Sequence, residues 1–227
     1  MTDNITLSSQ QSVHLSAKMA WQTQRLNNKE GYDALEIFFP GMKQVYYQII
    51  GRVAVSYTWR PTDWQLSLGT GWGSRAPSVT EAYGYYLNNT YDRYDYMGNP
   101  RLKNESAIEV NGAVKWTGIK NLTLGVDANS FFFSNYIIGV FENRLSAMTV
   151  GAKGVKVFSN QKTAKIINAS LQADWQILRW MKWNTKISYA MCKDAEKDEL
   201  PFSSPQAYAT TINIRLHKEQ MNKIIKK

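Results

Sequence analysis

Long segments of this chain alternate apolar and polar residues, and this periodicity leaves few possible folds. Between Val45 and Trp59 the odd positions are mostly Val, Ile, Tyr and Trp, whereas the even positions include Gln48, Arg52 and Ser56. A period of two is typical of a β-strand with one apolar face. The run is about three times as long as the average globular strand, and a membrane-spanning strand needs about 9–11 residues. The segment therefore predicts a membrane-spanning β-strand.

The alternation recurs along the chain with a regular pattern of connections. A turn at 60–63 separates the first run from a second one at 64–72, which predicts a hairpin with Trp59 and Trp64 beside its turn. Further alternating runs predict strands at 4–7, 13–21, 108–116, 122–128, 167–177, 183–191 and 208–216. The connections are alternately tight turns and long loops, the latter at about 26–44, 76–106, 141–163 and 193–206.

This asymmetry of short turns and long loops is typical of outer-membrane barrels, whose extracellular loops are the long ones. The polar face holds Gln, Ser, Asn, Gly and Asp, which suits a water-filled lumen. The predicted fold class is all-β: an antiparallel transmembrane β-barrel, present as an incomplete, open segment of about nine strands. Two alternatives are a complete small porin or adhesin barrel, closed between the strands at 4–7 and 208–216, and a soluble β-sandwich that binds carbohydrate.

Composition excludes several other classes of protein. No run of about 18 apolar residues exists, so no transmembrane helix is predicted. Cys192 is the single cysteine and the chain has only 2 histidines, so we expect no disulfide, metal site, cofactor or catalytic residues. The net charge of +9 suits anionic headgroups, an anionic ligand or nucleic acid. The basic tail at 217–227 is interpreted as a fraying end, and no nucleic-acid partner is expected.

Two motifs occur in order between the alternating runs. The segment 71–81, GWGSRAPSVTE, resembles the S-R-A-P-S-x-x-E-L stretch of TonB-dependent outer-membrane receptors. The segment 98–106, GNPRLKNES, resembles the family's G-N-P-x-L-K-P-E-x-S, with Asn104 in place of its usual proline. A third segment, LPFSSP at 200–205, is similar to the family's L-P-x-x-P-P loop. The chain thus resembles the middle-to-late barrel of such a receptor.

The resemblance implies uptake of a scarce nutrient across the outer membrane of a Gram-negative bacterium, with a ferric siderophore, haem, cobalamin or copper as the ligand. Such receptors combine a plug domain with a barrel of about 22 strands. The sequence shows no signal peptide, TonB box or plug, so we expect a fragment, with a barrel domain at 1–216 and a tail at 217–227. The expected partners are outer-membrane lipid and a small-molecule or metal-chelate ligand. TonB would act only through the plug.

A tyrosine-rich segment after the first motif supplies candidate ligand contacts in an extracellular loop. Tyrosine offers apolar area, a hydroxyl group and a ring face that attracts cations. The alternative is a loop that packs its rings on its neighbours, with Arg93 pairing locally with Asp92 and Asp95. The candidates are Tyr83, Tyr85, Tyr86, Tyr91, Arg93, Tyr94 and Tyr96.

Two further groups of residues are candidates for other roles. Lys18 and Arg52 lie on the predicted lumen side, where they either attract an anionic ligand or pair with Glu109, Asp127 and Asp174. Charged residues of the two motifs are expected to fix the junction between strand and loop by charge-assisted hydrogen bonds. The structural motif residues are Arg75, Pro77, Glu81, Asn99, Pro100 and Glu105.

Overall fold

The computed structural model describes residues 1–194 and 206–215. Within these residues, 11 strands form one sheet. In chain order the elements are β1 (Thr2–Ser8), β2 (Gln11–Arg25), α1 (Lys29–Phe38), β3 (Val45–Trp59), β4 (Trp64–Arg75), α2 (Val79–Tyr83), β5 (Leu87–Asn89), β6 (Tyr94–Met97), β7 (Glu105–Ile119), β8 (Leu122–Phe141), β9 (Val155–Leu178), β10 (Met181–Asp194) and β11 (Ala207–Ile214). Nine strands follow one another across the sheet in chain order, and each is antiparallel to its neighbours.

The two faces of this sheet are inverted relative to those of a soluble protein. On β3 and β9 the apolar side chains are the exposed ones, with exposed fractions of 59% for Ile49, 57% for Val53 and 50% for Leu171. Their polar neighbours, such as Gln48 and Ser56, are half-buried. We call the face that carries Ile49, Val53 and Leu171 the outer face and the opposite one the inner face. This arrangement fits hydrocarbon outside and water inside.

Short turns connect the strands at one end of the sheet, and tryptophans line the outer face there. The turn after Trp59 closes as predicted, with the Trp64 amide donating to the Pro61 carbonyl at 2.7 Å. The rings of Trp64 and Trp116 lie 6.0 Å apart, and those of Trp175 and Trp183 lie 6.5 Å apart. Tryptophan rings are enriched where a barrel wall meets the membrane–water interface.

The sheet is open, and it decides between the alternatives for the fold. In the described ranges β1 pairs only with β2 and β11 only with β10, so the closure expected of a complete small barrel is not present. The β-sandwich is wrong, because all the strands belong to a single sheet whose apolar face is uncovered.

The long loops differ most from prediction, because they contain regular structure of their own. The connection at 26–44 includes α1, and that at 76–106 includes α2, β5 and β6. β8 and β9 continue beyond the alternating runs, so the third connection is shortened to 142–154. The alternation stops there because loop residues cover these strands: a Cβ on Gly139 would lie 2.4 Å from the Tyr96 ring. The predicted loop at about 193–206 is described only at its ends, where β10 continues to Asp194 and β11 begins at Ala207. Residues 195–205, which include the motif at 200–205, lie outside the described residues, as do Leu216 and the tail.

The hydrophobic core lies among the loops and not within the sheet. Its buried members come from two connections and the start of β9: Leu35, Met42, Ala82, Tyr83, Met97 and Val155. Leu145 of the third connection packs against them. β6 also adds to the start of β9 as a parallel strand, through Asp95–Val155 to Met97–Val157. Neither described helix is long or apolar enough to span a bilayer. The long loops are therefore joined in one compact structure, which we call the loop core.

The outer face generates a stability prediction that depends on side-chain direction alone. Leu171 lies near the middle of the outer apolar band, so Leu171→Lys should lower the free energy of unfolding in lipid vesicles by about 2–4 kcal/mol. Gln172→Glu also introduces a charge, but one residue away on the inner face and opposite Lys186, and it should change the free energy of unfolding by less than about 1 kcal/mol. Urea titration of the vesicle-embedded chain measures both values. Equal losses for the two variants would contradict the assignment of the faces.

Candidate ligand-binding loops and inner wall

Arg75 connects the two sequence motifs through two carboxylates. Its guanidinium donates to both oxygens of Glu81, at 2.8 and 3.1 Å, and to both oxygens of Glu105, at 2.9 and 3.2 Å. Glu105 is buried and also accepts from the Ile137 amide at 2.9 Å. Paired, charge-assisted hydrogen bonds of this kind fix orientation as well as adding energy. The end of β4, the start of α2 and the start of β7 are thereby held together.

The remaining residues of the first motif begin α2. The Ser78 hydroxyl accepts from the Glu81 amide, and the Glu81 carboxylate accepts from the Ser78 amide at 2.7 Å, which is a capping box. Burial tends to raise the pKa of Glu81, but the hydrogen bonds from Arg75 and Ser78 outweigh it and lower that pKa. Pro77 is fully buried, and its carbonyl accepts from the Gln24 side chain. The helix is thus positioned over the inner face of β2.

The second motif holds the loop core against β9. The Asn99 side chain donates to the Phe158 carbonyl at 3.0 Å and accepts from the Arg101 amide at 2.9 Å, and Pro100 beside it is buried. Gly98 approaches α2 so closely that a Cβ would lie 2.5 Å from the Gly84 nitrogen. Asn104, which replaces the family's proline, donates to the Ile49 carbonyl at 3.1 Å. The departure from the family pattern therefore adds a contact with β3.

The tyrosine candidates divide into buried and exposed groups. Tyr83 and Tyr96 are buried, and Tyr83 lies against the Tyr46 ring with a centroid distance of 6.2 Å. Burial, with a further contribution from Tyr46, raises the pKa of Tyr83 to about 12. Tyr94 is half-buried and packs edge-on against Phe141 at 6.1 Å. These three rings hold the loop core together, as the packing alternative predicts for them.

The other tyrosines and Arg93 are more accessible. Tyr91 is 82% exposed and Tyr85 is 38% exposed. Tyr86 is half-buried and stacks edge-on against Tyr85 at 5.1 Å. Arg93 is exposed, with its backbone held by Asn89 and Lys153. These residues form the accessible part of the predicted ligand-contacting loop.

Asp92 pairs with a distant lysine and not with its neighbour Arg93. Lys156 donates to Asp92 at 2.8 Å, and the Tyr96 hydroxyl donates to the same oxygen at 2.7 Å. The Lys156 ammonium also lies 4.3 Å from the centre of the Tyr94 ring, a cation–π arrangement. Burial opposes the ionisation of Asp92, yet these hydrogen bonds lower its pKa. The predicted local pairing of Arg93 is wrong, because the parallel β6–β9 contact places Lys156 beside the carboxylate.

Asp95 ties the third connection to the second. Its side chain is fully buried and accepts from the amides of Met148 and Thr149, at 2.8 and 2.9 Å, and from the Asn88 side chain at 3.0 Å. Burial would by itself raise the pKa of Asp95, but the donors on Thr149, Asn88 and Met148 lower it to about 2. The sequence shows an acidic residue within an aromatic loop. It does not show that Met148 and Thr149, more than 50 residues away, are its partners.

Lys18 and Arg52 lie directly opposite each other on the inner face of β2 and β3. They are six residues along the strands from the row of Gln24 and Tyr46, which meets the loop core, and this corresponds to about 20 Å. Neither forms an ion pair with a carboxylate of the described chain. The structure therefore separates these bases from the tyrosines, so the two sets do not form one site.

The carboxylates proposed as alternative partners for these bases have other contacts. Glu109 accepts from Asn111 at 3.2 Å, Asp127 accepts from Ser170 at 2.6 Å, and Asp174 pairs with Lys182 at 3.4 Å. A groove of about 510 Å³ lies beside Arg52 on the inner face. Its lining includes Arg52, Arg75, Glu105, Glu109, Phe131 and Phe133. Within residues 1–194 and 206–215, no cluster of three His, Cys, Asp or Glu side chains could hold a metal ion.

Comparison with known proteins identifies the family. The sequence profile described as TonB dependent receptor-like, beta-barrel matches residues 1–216. The chain belongs to this family. Its members are receptors and transporters of the Gram-negative outer membrane. No curated protein matches the sequence.

Solved structures show the same fold at low sequence identity. The copper transporter OprC has a TM-score of 0.71 at 13% identity, over 93% of this chain and 30% of that one. The siderophore receptor PirA from Acinetobacter baumannii has a TM-score of 0.58 at 11% identity, over 96% and 40% of the two chains. The Serratia marcescens hemophore receptor HasR, in complex with HasA and heme, gives 0.51 and 13%, over 92% and 37%. The chain thus spans about a third of the length of such receptors.

The junction formed by Arg75, Glu81 and Glu105 connects the two motifs, and we expect its disruption to lower the stability of the chain. Glu105→Gln removes a charge-assisted partner of Arg75 and should lower the free energy of unfolding by about 1–3 kcal/mol. Glu142→Gln is the matched control, because Glu142 also pairs with an arginine, Arg144, but on the exposed surface. We expect no measurable change for the control. Urea titration in detergent measures both, and an unchanged Glu105→Gln would contradict the role of the junction.

Because the Asp95 carboxylate holds the third connection, we expect the local stability of that connection to depend on pH. A carboxyl whose pKa is lower in the folded state stabilises that state above its ordinary pKa, and the contribution is lost as the pH falls. Protection of the Met148 and Thr149 amides should therefore be full above about pH 4 and decline towards pH 2. Hydrogen exchange, corrected for intrinsic rates, measures this.

The variant Asp95→Asn should reduce the protection of these amides and remove its pH dependence. Asp33→Asn, an exposed substitution in α1, is the control and should keep the wild-type profile. A pH profile in Asp95→Asn identical to that of the wild type would assign the effect to another group.

Proposed function

We propose that this chain forms part of the wall and the external loops of an outer-membrane receptor that takes up a scarce nutrient as a small molecule or metal chelate. The observation that carries the proposal is the pairing of an exposed apolar outer face with a loop core at one end of the sheet. The first feature suits a lipid environment. The second provides a rigid scaffold on which exposed side chains can contact a ligand.

The chemistry of the accessible loop residues favours an aromatic or anionic ligand. Tyr85, Tyr86 and Tyr91 offer ring faces and hydroxyl groups, and Arg93 adds a cation beside them. Lys18 and Arg52 add positive charge deeper along the inner face, where it would attract an anion that has passed the loops. A ferric siderophore or haem combines negative charge with aromatic surface, and cobalamin and copper are the other members of the proposed ligand class.

Family membership supports the same direction. The similar structures are those of a copper transporter, a siderophore receptor and a hemophore receptor in complex with its hemophore and heme. Coupling to TonB would run through a plug domain, and it belongs to the proposal for the whole receptor. The contribution of this chain is the wall, the loop core and the first ligand contacts.

A binding panel tests the proposal. The chain is folded into lipid vesicles and titrated with a ferric catecholate siderophore, haem, cobalamin and Cu²⁺, with tryptophan fluorescence as the readout. One ligand should bind, and Tyr91→Ala together with Arg93→Ala should weaken it by about 10-fold or more, since each contact contributes about 1 kcal/mol. Tyr189→Ala, on the outer face, is the matched control and should have no effect.

Two results would contradict the proposal in different ways. Failure of the chain to insert into vesicles would refute the membrane placement. Insertion with no effect of the loop substitutions on any ligand would refute the assignment of the loop as the contact surface.

A further inference from the structure

Two lysines occupy adjacent outward positions where the apolar band of β9 and β10 ends. Lys165 and Lys193 are direct cross-strand partners, and Lys165 is also the partner of Phe132 on β8. Side chains alternate along a strand, so the two lysines point to the same side as the exposed residues of the outer face, which are Leu171, Trp175, Ile187 and Tyr189. The outward positions between the lysines and the short-turn end are uncharged: Ile167, Ala169, Leu171, Ala173, Trp175, Trp183, Thr185, Ile187, Tyr189 and Met191.

The position of the lysines along the strands corresponds to the lipid headgroup region. On β9 the apolar band runs from Ile167 to Trp175, and on β10 from Trp183 to Met191. Each spans about the 9–11 residues that a β-strand needs to cross the hydrocarbon. The tryptophans mark the short-turn end of the band, so Lys165 and Lys193 stand at the opposite end, on the side of the long loops. The Lys165 ammonium lies 5.2 Å from the centre of the half-exposed Phe132 ring.

The two adjacent ammonium groups of Lys165 and Lys193 would be stabilised by an anion bound between them. Like charges directly opposite each other on a sheet repel, and hydrocarbon beside them strengthens the interaction. Among the described residues, neither lysine forms an ion pair. A single lysine can turn its ammonium towards water, but a pair on one row offers two adjacent positive groups to the same headgroup.

We infer that Lys165 and Lys193 form a binding site for the phosphate headgroup of an anionic membrane lipid, with its acyl chains against the apolar band of β8, β9 and β10. The phosphate accepts hydrogen bonds from both ammonium groups, and the chains cover Phe132 and Ile167. The site is separate from the ligand-contacting loop and the inner wall. The inference rests on the membrane placement proposed above.

A lipid-binding measurement on the full chain tests this site. The folded chain in nonionic detergent is titrated with phosphatidic acid, or with phosphatidylcholine of the same chain length, and bound lipid is counted by native mass spectrometry. Each lysine near an anionic headgroup contributes about fivefold in affinity, so Lys165→Gln with Lys193→Gln should weaken phosphatidic acid binding by about 30-fold. Binding of phosphatidylcholine should change little.

Matched variants separate the site from general charge effects. Lys186→Gln lies on β10 but faces the inner side, and it should bind phosphatidic acid as the wild type does. Lys165→Arg with Lys193→Arg keeps the charge and should retain binding. If the glutamine variant does not fold, two other measurements test the site: lipid binding by the arginine variant and the salt dependence of wild-type binding. Added salt should weaken binding, because it screens a headgroup contact at the surface.

Several results would overturn the inference. They are wild-type affinity in the double glutamine variant, an equal loss in Lys186→Gln, salt-independent binding, or competition by inorganic phosphate as strong as that by the lipid. The last result would indicate a site for the free anion. Insertion into neutral phosphatidylcholine vesicles is measured separately, so that failure of the membrane placement is distinguished from failure of the lipid site.

Discussion

A backbone hydrogen-bond ladder joins the nine strands of the wall, and it fixes where every side chain and loop of the protein can lie. In hydrocarbon an unpaired N–H or C=O costs several kcal/mol, so a spanning segment without helices must pair its backbone with neighbouring strands. The pairing from Gln11–Trp59 to Arg25–Val45 runs without a break in register. A slip of β3 by one residue would turn Arg52 outward and Val53 inward, while Lys18 on β2 kept its direction. The strand register therefore decides which side chains lie on the outer face and which lie on the inner face.

The loop core is the second structural unit, and it is stabilised by ordinary burial. Leu35, Met97 and Val155 are almost completely buried there, whereas most large apolar side chains of the wall face outward. The junction of Arg75 with Glu81 and Glu105 connects the two units, because it begins at the end of β4 and reaches Ile137 on β8. Exposed residues of the proposed contact loop, such as Tyr91, are thus carried on a support that is fixed to the wall.

The sheet contains two direct cross-strand pairs of basic residues, and the surroundings of each pair depend on the face on which it lies. Lys18–Arg52 and Lys165–Lys193 are both direct cross-strand pairs. The first lies on the inner face, where water screens the repulsion and a diffusing anion can be attracted. The second lies on the outer face at the end of an apolar band, where a fixed headgroup is the anion within reach. In the roles proposed above, side-chain direction, which alternates along a strand, separates solute recognition from lipid recognition.

The nine strands of the wall, their two faces and the family could be predicted from the amino-acid sequence, because alternation specifies side-chain direction in any strand and the motifs at 71–81 and 98–106 are contiguous segments. The sequence also indicated that Arg75, Glu81 and Glu105 belong to a junction. The burial of Tyr83 and Tyr96, the exposure of Tyr91 and the pairing of Asp92 with Lys156 became visible only in the folded structure. The Asp92–Lys156 pair depends on the parallel contact between β6 and β9, which joins residues about 60 positions apart. Contacts between loops leave no periodic pattern, since each depends on how a distant segment folds.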